Sequence, residues 1–372
     1  MAFNPKTITL YSVGLLGGSI GLALKNSGFN GRVIGLSSPE KLRLALKLGC
    51  IDEGFPYEKL GGIVSRTDLL ILCSPISVIM ETIQKLAGMP LPKGLVITDV
   101  GSTKKNICEI AAEKLPKQVH HVHFLGGHPM AGSEKSGPSA ADPYLFQNAI
   151  HVLTPPGGTP VEIDLEIARF FEHYLGSRAL FLDPDRHDRI VAAVSHLPHL
   201  LAVSLVNAAQ EAENSIPGTL DLAAGGFRDM TRIAGAPYDL WHDILSTNKN
   251  ALLPLIDGMI DRLSEVKQRL KNDSLRELFE GSQKTRSRIP INAKGFIREL
   301  SEVLVVAKDQ PGIIARIATS LAAENININD IEVLKVREGE GGTIRLAFDS
   351  AAVAGKAVAI LQKAGFQARE RT

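Results

Sequence analysis

The feature that most constrains this chain lies in the segment Val13-Gly14-Leu15-Leu16-Gly17-Gly18-Ser19, which joins an apolar, β-branched run at residues 7–13 to a helical run at 20–25. Strand, glycine turn and helix in that order let the backbone approach a pyrophosphate, and the free N–H groups at the helix start attract its charge. Gly14, Leu15, Leu16, Gly17 and Gly18 are therefore candidate cofactor contacts. The usual G-x-G-x-x-G spacing is imperfect, because Ser12 occupies the first glycine position. A serine there is expected to keep a negative φ, since only glycine reverses φ without steric cost. The competing reading, a turn that merely joins strand to helix, is disfavoured by the texture around it.

That texture is a regular alternation. Residues 7–13, 32–36, 69–73, 96–99, 121–125 and 150–153 read as strands between amphipathic runs, which predicts a mostly parallel sheet with helices on both faces. Residues 1–182 are assigned to such a doubly wound, Rossmann-type α/β domain. An acid usually ends the second strand and binds the ribose 2′-hydroxyl of NAD. Here Ser37-Ser38-Pro39-Glu40 follows that strand, with Lys41 and Arg43 a turn later. NAD and NADP are both open, and Ser37 and Ser74 join the candidate cofactor contacts.

At 372 residues the chain exceeds one comfortable core. Between residues 185 and 271 the pattern turns helical, with Ile190, Val191, Val194, Leu197, Leu201 and Leu205 on one stripe. This defines an all-helical domain at 183–280. It carries more leucine and valine than one layer over the first domain can cover, so a homodimer is expected. Residues 281–288 (GSQKTRSR) lack apolar side chains, and 281–295 reads as a linker. Residues 296–372 return to strand-helix-strand texture as a third domain.

With 41 basic and 40 acidic residues intermixed, the formal charge of +1 supplies no long-range field for nucleic acid or an anionic membrane. An anionic ligand needs local cations. Cys50, Cys73 and Cys108 form no CxxC pair and read as reduced, buried thiols. His120, His121 and His123, with His128, suggest zinc, but strand alternation sends His120 and His121 to opposite faces and nothing suitably spaced completes a ligand set, so no metal is expected. No leader and no run near the ~18 apolar residues of a membrane span are seen, so a cytoplasmic location is expected. Lys104-Lys105 and residues 267–271 read as solvated helix faces.

Two motifs carry the chemistry. Asp99-Val100-Gly101-Ser102-Thr103-Lys104 ends a strand and starts a helix, placing Ser102 at the carboxyl edge of the sheet. After the next strand comes Gly126-Gly127-His128-Pro129-Met130-Ala131-Gly132-Ser133-Glu134-Lys135-Ser136-Gly137. Both resemble the prephenate and arogenate dehydrogenase family. The likeness continues through His187-Asp188, Ser195-His196-Leu197-Pro198-His199, residues 226–234 and Trp241, with Ser12 and Ser37 as departures. It implies an NAD(P)-dependent oxidative decarboxylation: hydride leaves a 4-hydroxycyclohexadiene, carbon dioxide departs, and the ring becomes aromatic. Prephenate would yield 4-hydroxyphenylpyruvate, and arogenate would yield tyrosine.

Within that chemistry neutral His128 suits a general base, with Ser102 orienting the substrate hydroxyl or the imidazole. Arg232 is the expected carboxylate clamp, because planar guanidinium matches a carboxylate. His199 is a second substrate contact, with Ser133 and Glu134 at the mouth. His196 shares a helix face with His199, and a core histidine is an equal reading for it. Trp241 is expected to pack at a domain interface.

The C-terminal region has a strand at 303–306, a turn Lys308-Asp309-Gln310-Pro311-Gly312, a helix, Asn325-Ile326-Asn327-Ile328-Asn329, and further strand and helix runs in βαββαβ order. This ferredoxin-like pattern is similar to the ACT domain, which implies amino-acid binding, commonly at a dimer interface. Asp309, Gly312, Asn325 and Asn329 are the candidate effector contacts, with tyrosine the expected ligand and a purely structural module the competing reading. Two different activities compete with the dehydrogenase reading of the chain. A related NAD(P) enzyme acting on a β-hydroxy acid leaves the HPMAGSE stretch unexplained, and a non-catalytic amino-acid sensor would fail to bind dinucleotide.

Overall fold

A computed structural model describes residues 3–115, 122–132, 135–288, 300–307, 310–337 and 341–371. The chain forms two compact units, residues 1–275 and 276–372.

The first unit is built on eight strands: β1 (Thr7–Tyr11), β2 (Arg32–Leu36), β3 (Glu53–Phe55), β4 (Leu69–Leu72), β5 (Val96–Asp99), β6 (His123–Pro129), β7 (Ile150–Thr154) and β8 (Arg178–Phe181). Their order is β3-β2-β1-β4-β5-β6-β7-β8, parallel throughout except between β6 and β7. Helices α1 (Leu15–Asn26), α2 (Pro39–Lys47), α3 (Leu60–Val64), α4 (Ile76–Ala87), α5 (Lys105–Lys114) and α6 (Glu162–Leu175) link the strands. Strand β4 shows why the sheet is covered on both faces. All four of its residues are buried, with Leu69 and Ile71 in one apolar cluster and Leu70 and Leu72 in another, as a two-residue period requires. The expected doubly wound architecture is thus present. Chain order reverses between β1 and β4, which creates the crevice where such folds take their ligands.

Strand β6 changes partner partway along. Its first residues pair in parallel with β5, as Thr98 with Leu125, and from Gly126 it pairs antiparallel with β7, as His128 with Val152. His128 therefore extends past the end of β5.

Helices α7 (Pro184–Val191) and α8 (Leu197–Ser215) are joined by a π-helical turn, Ala192–His196. Pro198 explains the turn: it has no N–H to donate, and its ring would crowd the carbonyl four residues earlier. Helices α9 (Gly225–Thr231), α10 (Tyr238–Thr247) and α11 (Lys249–Lys271) follow. The helical part is tied to the sheet by polar contacts. Ser77 donates its N–H and hydroxyl to Asp243 at 2.8 and 2.6 Å, and Thr103 and Thr247 share a hydrogen bond of 2.8 Å. The predicted apolar stripe is only partly covered within one chain: Val191 and Leu197 are buried, but Ile190 is 40% and Val194 66% exposed.

The helical stretch Pro184–Ser215 is, among the described residues, long and apolar enough to cross a membrane by length and composition. No uninterrupted apolar run marks it in the sequence. Averaged over a helix of this length, its leucines and valines outweigh His196, Pro198 and His199.

In the second unit, residues 281–288, read as part of a linker, are helical as far as Arg286, because α12 (Arg276–Arg286) includes them. Residues 289–295 lie outside the described residues. Strands β9 (Ser301–Ala307), β10 (Asp330–Arg337), β11 (Gly341–Phe348) and β12 (Gln367–Glu370) form an antiparallel sheet of order β10-β11-β9-β12. With α13 (Ile313–Ala322) and α14 (Ala351–Lys363) the order is the expected βαββαβ. Val303, Val305, Ile317, Leu346 and Leu361 fill its core.

Candidate active site

The glycine turn reaches the switch in strand order. Gly14 precedes α1 and a Cβ there would meet open space, whereas a Cβ on Gly17 would lie 2.4 Å from the Ser12 carbonyl oxygen. Gly14, Leu15 and Leu16 form a half-exposed rim over buried Gly17 and Gly18. The expected negative φ at Ser12 is wrong: φ is +75°. Its N–H donates to the Leu36 carbonyl at 2.7 Å, and that cross-strand bond holds a conformation most side chains avoid. An open rim of free N–H groups at a helix start suits a dinucleotide pyrophosphate.

Ser37 is fully buried with its hydroxyl 3.4 Å from that of Tyr57. Its hydroxyl therefore points into the fold, and Ser38, half-buried just before α2, is the serine left at the rim. Ser74 is half-buried at the end of β4, its hydroxyl 3.5 Å from the Tyr11 carbonyl oxygen.

The chemistry-bearing side chains converge at the carboxyl edge of β5 and β6. His128 is half-buried, and its Nδ1 lies 2.9 Å from Nε2 of His187. The Nδ1 of His187 lies 2.7 Å from Oδ1 of Asp188. Asp188 also accepts the backbone N–H groups of Lys104 at 2.7 Å and Lys105 at 3.0 Å. A carboxylate receiving these donors is an acceptor toward His187, so Nδ1 of His187 carries the proton and its Nε2 presents a lone pair. His128 then donates from Nδ1, leaving its own Nε2 unprotonated. Burial, chiefly, then the neighbouring His187 ring and the Lys104 ammonium hold the His128 imidazole well below its ordinary pKa.

Lys104 overturns the expectation of a solvated helix face. It is completely buried, paired with Asp99, and donates to the Gly127 carbonyl at 2.7 Å. Lys105 does remain outside, bonded to Asp185. Ser102 is half-buried between them and β5 and makes no hydrogen bond among the described residues.

His196 is buried in the π turn and accepts from the Asn248 side chain at 3.0 Å; the same amide donates to the Asp188 carbonyl at 2.8 Å. Burial pushes its pKa down to about 4. His199 is buried, its pKa lowered by that burial, and stacks on Trp241 with ring centroids 3.6 Å apart. Trp241 thus packs on the histidine pair. Arg232 is exposed just after α9, with no ion pair among the described residues. Ser133, Glu134, His120 and His121 lie outside the described residues. His123 pairs with Asp164 at 2.6 Å. Asn248 carries no local signal in the sequence that would single it out; Asp99 and Lys104 bound a motif visible there and His187-Asp188 is visible as a pair, but none of the four has a role in that reading.

A cavity of about 990 Å³ runs along α7 and α11, lined by Asp183, Arg186, Arg189, Val194, Pro254 and Leu255 among others. None of the chemistry-bearing residues lines it. In the second unit, Asn325 and Asn329 line a cavity of about 690 Å³ with Glu324, Asp349 and Lys356. Gly312 starts α13 and Asn325 follows its end, so ten residues of helix, roughly 15 Å, separate them. Within one chain they therefore stand at opposite ends of that helix. Asp309 lies outside the described residues.

Known families match along the chain. The family model for the prephenate dehydrogenase nucleotide-binding domain matches residues 20–178, that for the prephenate dehydrogenase dimerization domain matches 183–284, and that for the ACT domain matches 301–366. The chain is 36% identical over 350 residues to a prephenate dehydrogenase of Bacillus subtilis (strain 168), covering 92% of each chain. Prephenate dehydrogenase of A. aeolicus, solved in complex with hydroxyphenyl propionate and NAD+, is similar with a TM-score of 0.68 and 30% identity, over 76% of this chain and 96% of that one. Synechocystis arogenate dehydrogenase gives a TM-score of 0.62 and 29% identity, over 76% of this chain and 98% of that one. With the glycine turn, the histidine relay and these likenesses together, the chain belongs to the prephenate dehydrogenase family.

Proposed function

We propose that this chain catalyses the NAD-dependent oxidative decarboxylation of prephenate to 4-hydroxyphenylpyruvate. The observation that carries the reading is the His128–His187–Asp188 relay, which leaves Nε2 of His128 free to accept a proton at the sheet edge where the glycine turn opens.

The rim at Gly14, Leu15 and Leu16 would hold the dinucleotide, with Ser38 and Ser74 near it. When bound, the nicotinamide supplies a hydride acceptor. His128 takes the proton of the substrate hydroxyl as the carbinol carbon loses hydride. The carbonyl so formed draws in the electron pair of the breaking ring-to-carboxylate bond, carbon dioxide leaves, and His128 returns its proton to the new phenolic oxygen. Overall, prephenate and NAD+ give 4-hydroxyphenylpyruvate, carbon dioxide and NADH with no net proton change. Ser102, with an uncommitted hydroxyl, orients the substrate hydroxyl. Arg232, and Ser133 and Glu134, are assigned to the substrate carboxylates and the mouth. His199, held by Trp241, is assigned as a second substrate contact.

NAD is favoured over NADP by the A. aeolicus complex; the serines after β2 leave NADP as the competitor. Arogenate is the alternative substrate, prompted by the Synechocystis likeness, because the two substrates differ only in a keto or amino group. A spectrophotometric assay crossing both substrates with both dinucleotides tests all of this. Turnover with neither substrate overturns the reading.

The exposed apolar side chains of the helical part, Val194, Leu222, Met230 and Leu263 among them, support a homodimer that covers them. The Pro184–Ser215 helix belongs to that assembly in a soluble, cytoplasmic enzyme, since His196 and His199 on it are engaged by Asn248 and Trp241. Tyrosine is the proposed effector of the ACT unit. Asn325 and Asn329 bound the cavity at one end of α13 and Gly312 lies at the other, so a site using both needs two copies of the unit.

A further inference from the structure

A lysine ammonium is among the groups least tolerated away from water unless it is paired and hydrogen-bonded. Lys104 is completely buried, and its bonds converge on one neighbour of the base. Its Nζ donates to Oδ2 of Asp99 and, at 2.7 Å, to the carbonyl of Gly127. Oδ1 of Asp99 accepts the N–H of the same Gly127 at 3.1 Å, and Oδ2 accepts that of Gly101 at 2.8 Å. The ion pair thus grips both backbone polar groups of the residue that precedes His128. No side chain fits at that point: a Cβ on Gly127 would lie 2.5 Å from the Asp99 carbonyl oxygen and 3.1 Å from Nε2 of His151. The backbone N–H of Lys104 donates to Asp188, the carboxylate that orients His187. One residue therefore ties both ends of the histidine relay together.

We propose that Lys104, through its buried ion pair with Asp99, is a positioning residue for His128: it locks the strand that presents the base against His187 and keeps a fixed positive charge behind the imidazole. The proposal rests on the reading of His128 as the general base. Other groups also face that imidazole: His187 from α7, with Asp188 behind it, His196 from the π turn and His151 from β7. Among these groups Lys104 supplies the ammonium, and its field adds to burial in favouring the neutral ring.

Two variants test it in the full-length enzyme. Lys104→Met removes the ammonium but leaves Asp99 buried and unpaired. Lys104→Met/Asp99→Asn leaves no isolated buried charge and keeps one acceptor for the Gly127 N–H, so it remains informative if the single variant fails to fold. The readouts are the His128 titration by nitrogen-15 NMR and kcat and KM as functions of pH. In Lys104→Met, which removes the cation and leaves the carboxylate, the imidazole titration and the acid limb of kcat/KM are expected to move together to higher pH, by about half a unit or more, and by less in the double variant, which also removes the opposing charge. A fall in kcat of about tenfold or more, with KM for the dinucleotide unchanged, completes the expected pattern. An unshifted imidazole overturns the proposal, whether kcat is unchanged or falls only in step with thermal stability. The NMR titration needs no turnover, so it separates this proposal from the assignment of substrate.

Discussion

Replacing Asp188 by asparagine changes one atom and removes a charge on which three donors converge. Oδ1 accepts from Lys104 N and His187 Nδ1, each at 2.7 Å, and Oδ2 accepts from Lys105 N at 3.0 Å. An asparagine oxygen can occupy only one of those places. If it stays toward Lys104 and His187, the new amide faces the Lys105 N–H donor to donor. If it turns, the amide faces Lys104 N–H and donates to His187, which must then carry its proton on Nε2. That second arrangement forces His128 to accept at Nδ1 and hold its proton on Nε2, where the base is needed. Either way the charge assistance is lost and one N–H is left unmatched, a cost of about 2–4 kcal/mol in stability. Turnover should fall roughly 10²-fold, within the range lost with a general base. Urea denaturation measures the first and steady-state kinetics the second. A variant that has lost this stability yet keeps kcat within twofold of the parent refutes the argument that the Asp188 charge acts on His128 through His187.

His128→Asn should lower kcat by ~10²–10⁴-fold while leaving dinucleotide affinity, measured by fluorescence titration, nearly intact; near-normal turnover would remove His128 from the proton step. Arg232→Ala should act mainly on KM, because a carboxylate clamp serves ground and transition states alike, and an unchanged KM moves the clamp elsewhere. Stability should fall in acid: His196, with a folded pKa of about 4 against an ordinary 6.5, takes up a proton more readily when unfolded. Its contribution, about 3 kcal/mol, is present above pH 6.5 and lost as pH falls from there toward 4. Thermal midpoints between pH 7 and 4.5 check it, and His196→Gln should flatten that slope. Tyrosine should inhibit the full chain but not a chain ended after Arg288, which keeps α12 whole. Equal inhibition of both forms would place tyrosine at the active site instead.

Much of this architecture was legible in local sequence pattern. The glycine turn between a β-branched run and a helix, the strand alternation up to residue 154 and the βαββαβ order after residue 300 are short-range signals, because backbone geometry and a two- or 3.6-residue period act within a few residues. The segment around His128 was legible for a related reason: a histidine between glycines and a proline suits no core. The sequence alone therefore determined the fold class and the residue expected to move the proton. Other features depend on partners distant in the chain. Lys104 and Lys105 are indistinguishable in sequence, yet one is buried with Asp99 and the other lies outside on Asp185, because Asp188, more than eighty residues on, accepts both backbone N–H groups and fixes how α5 begins. Ser12 adopts a positive φ because its N–H is held by the second strand, and Ser37 is withdrawn from the rim by Tyr57. Only tertiary structure could decide these, since burial and hydrogen-bond partnership belong to the assembled neighbourhood and not to the residue type.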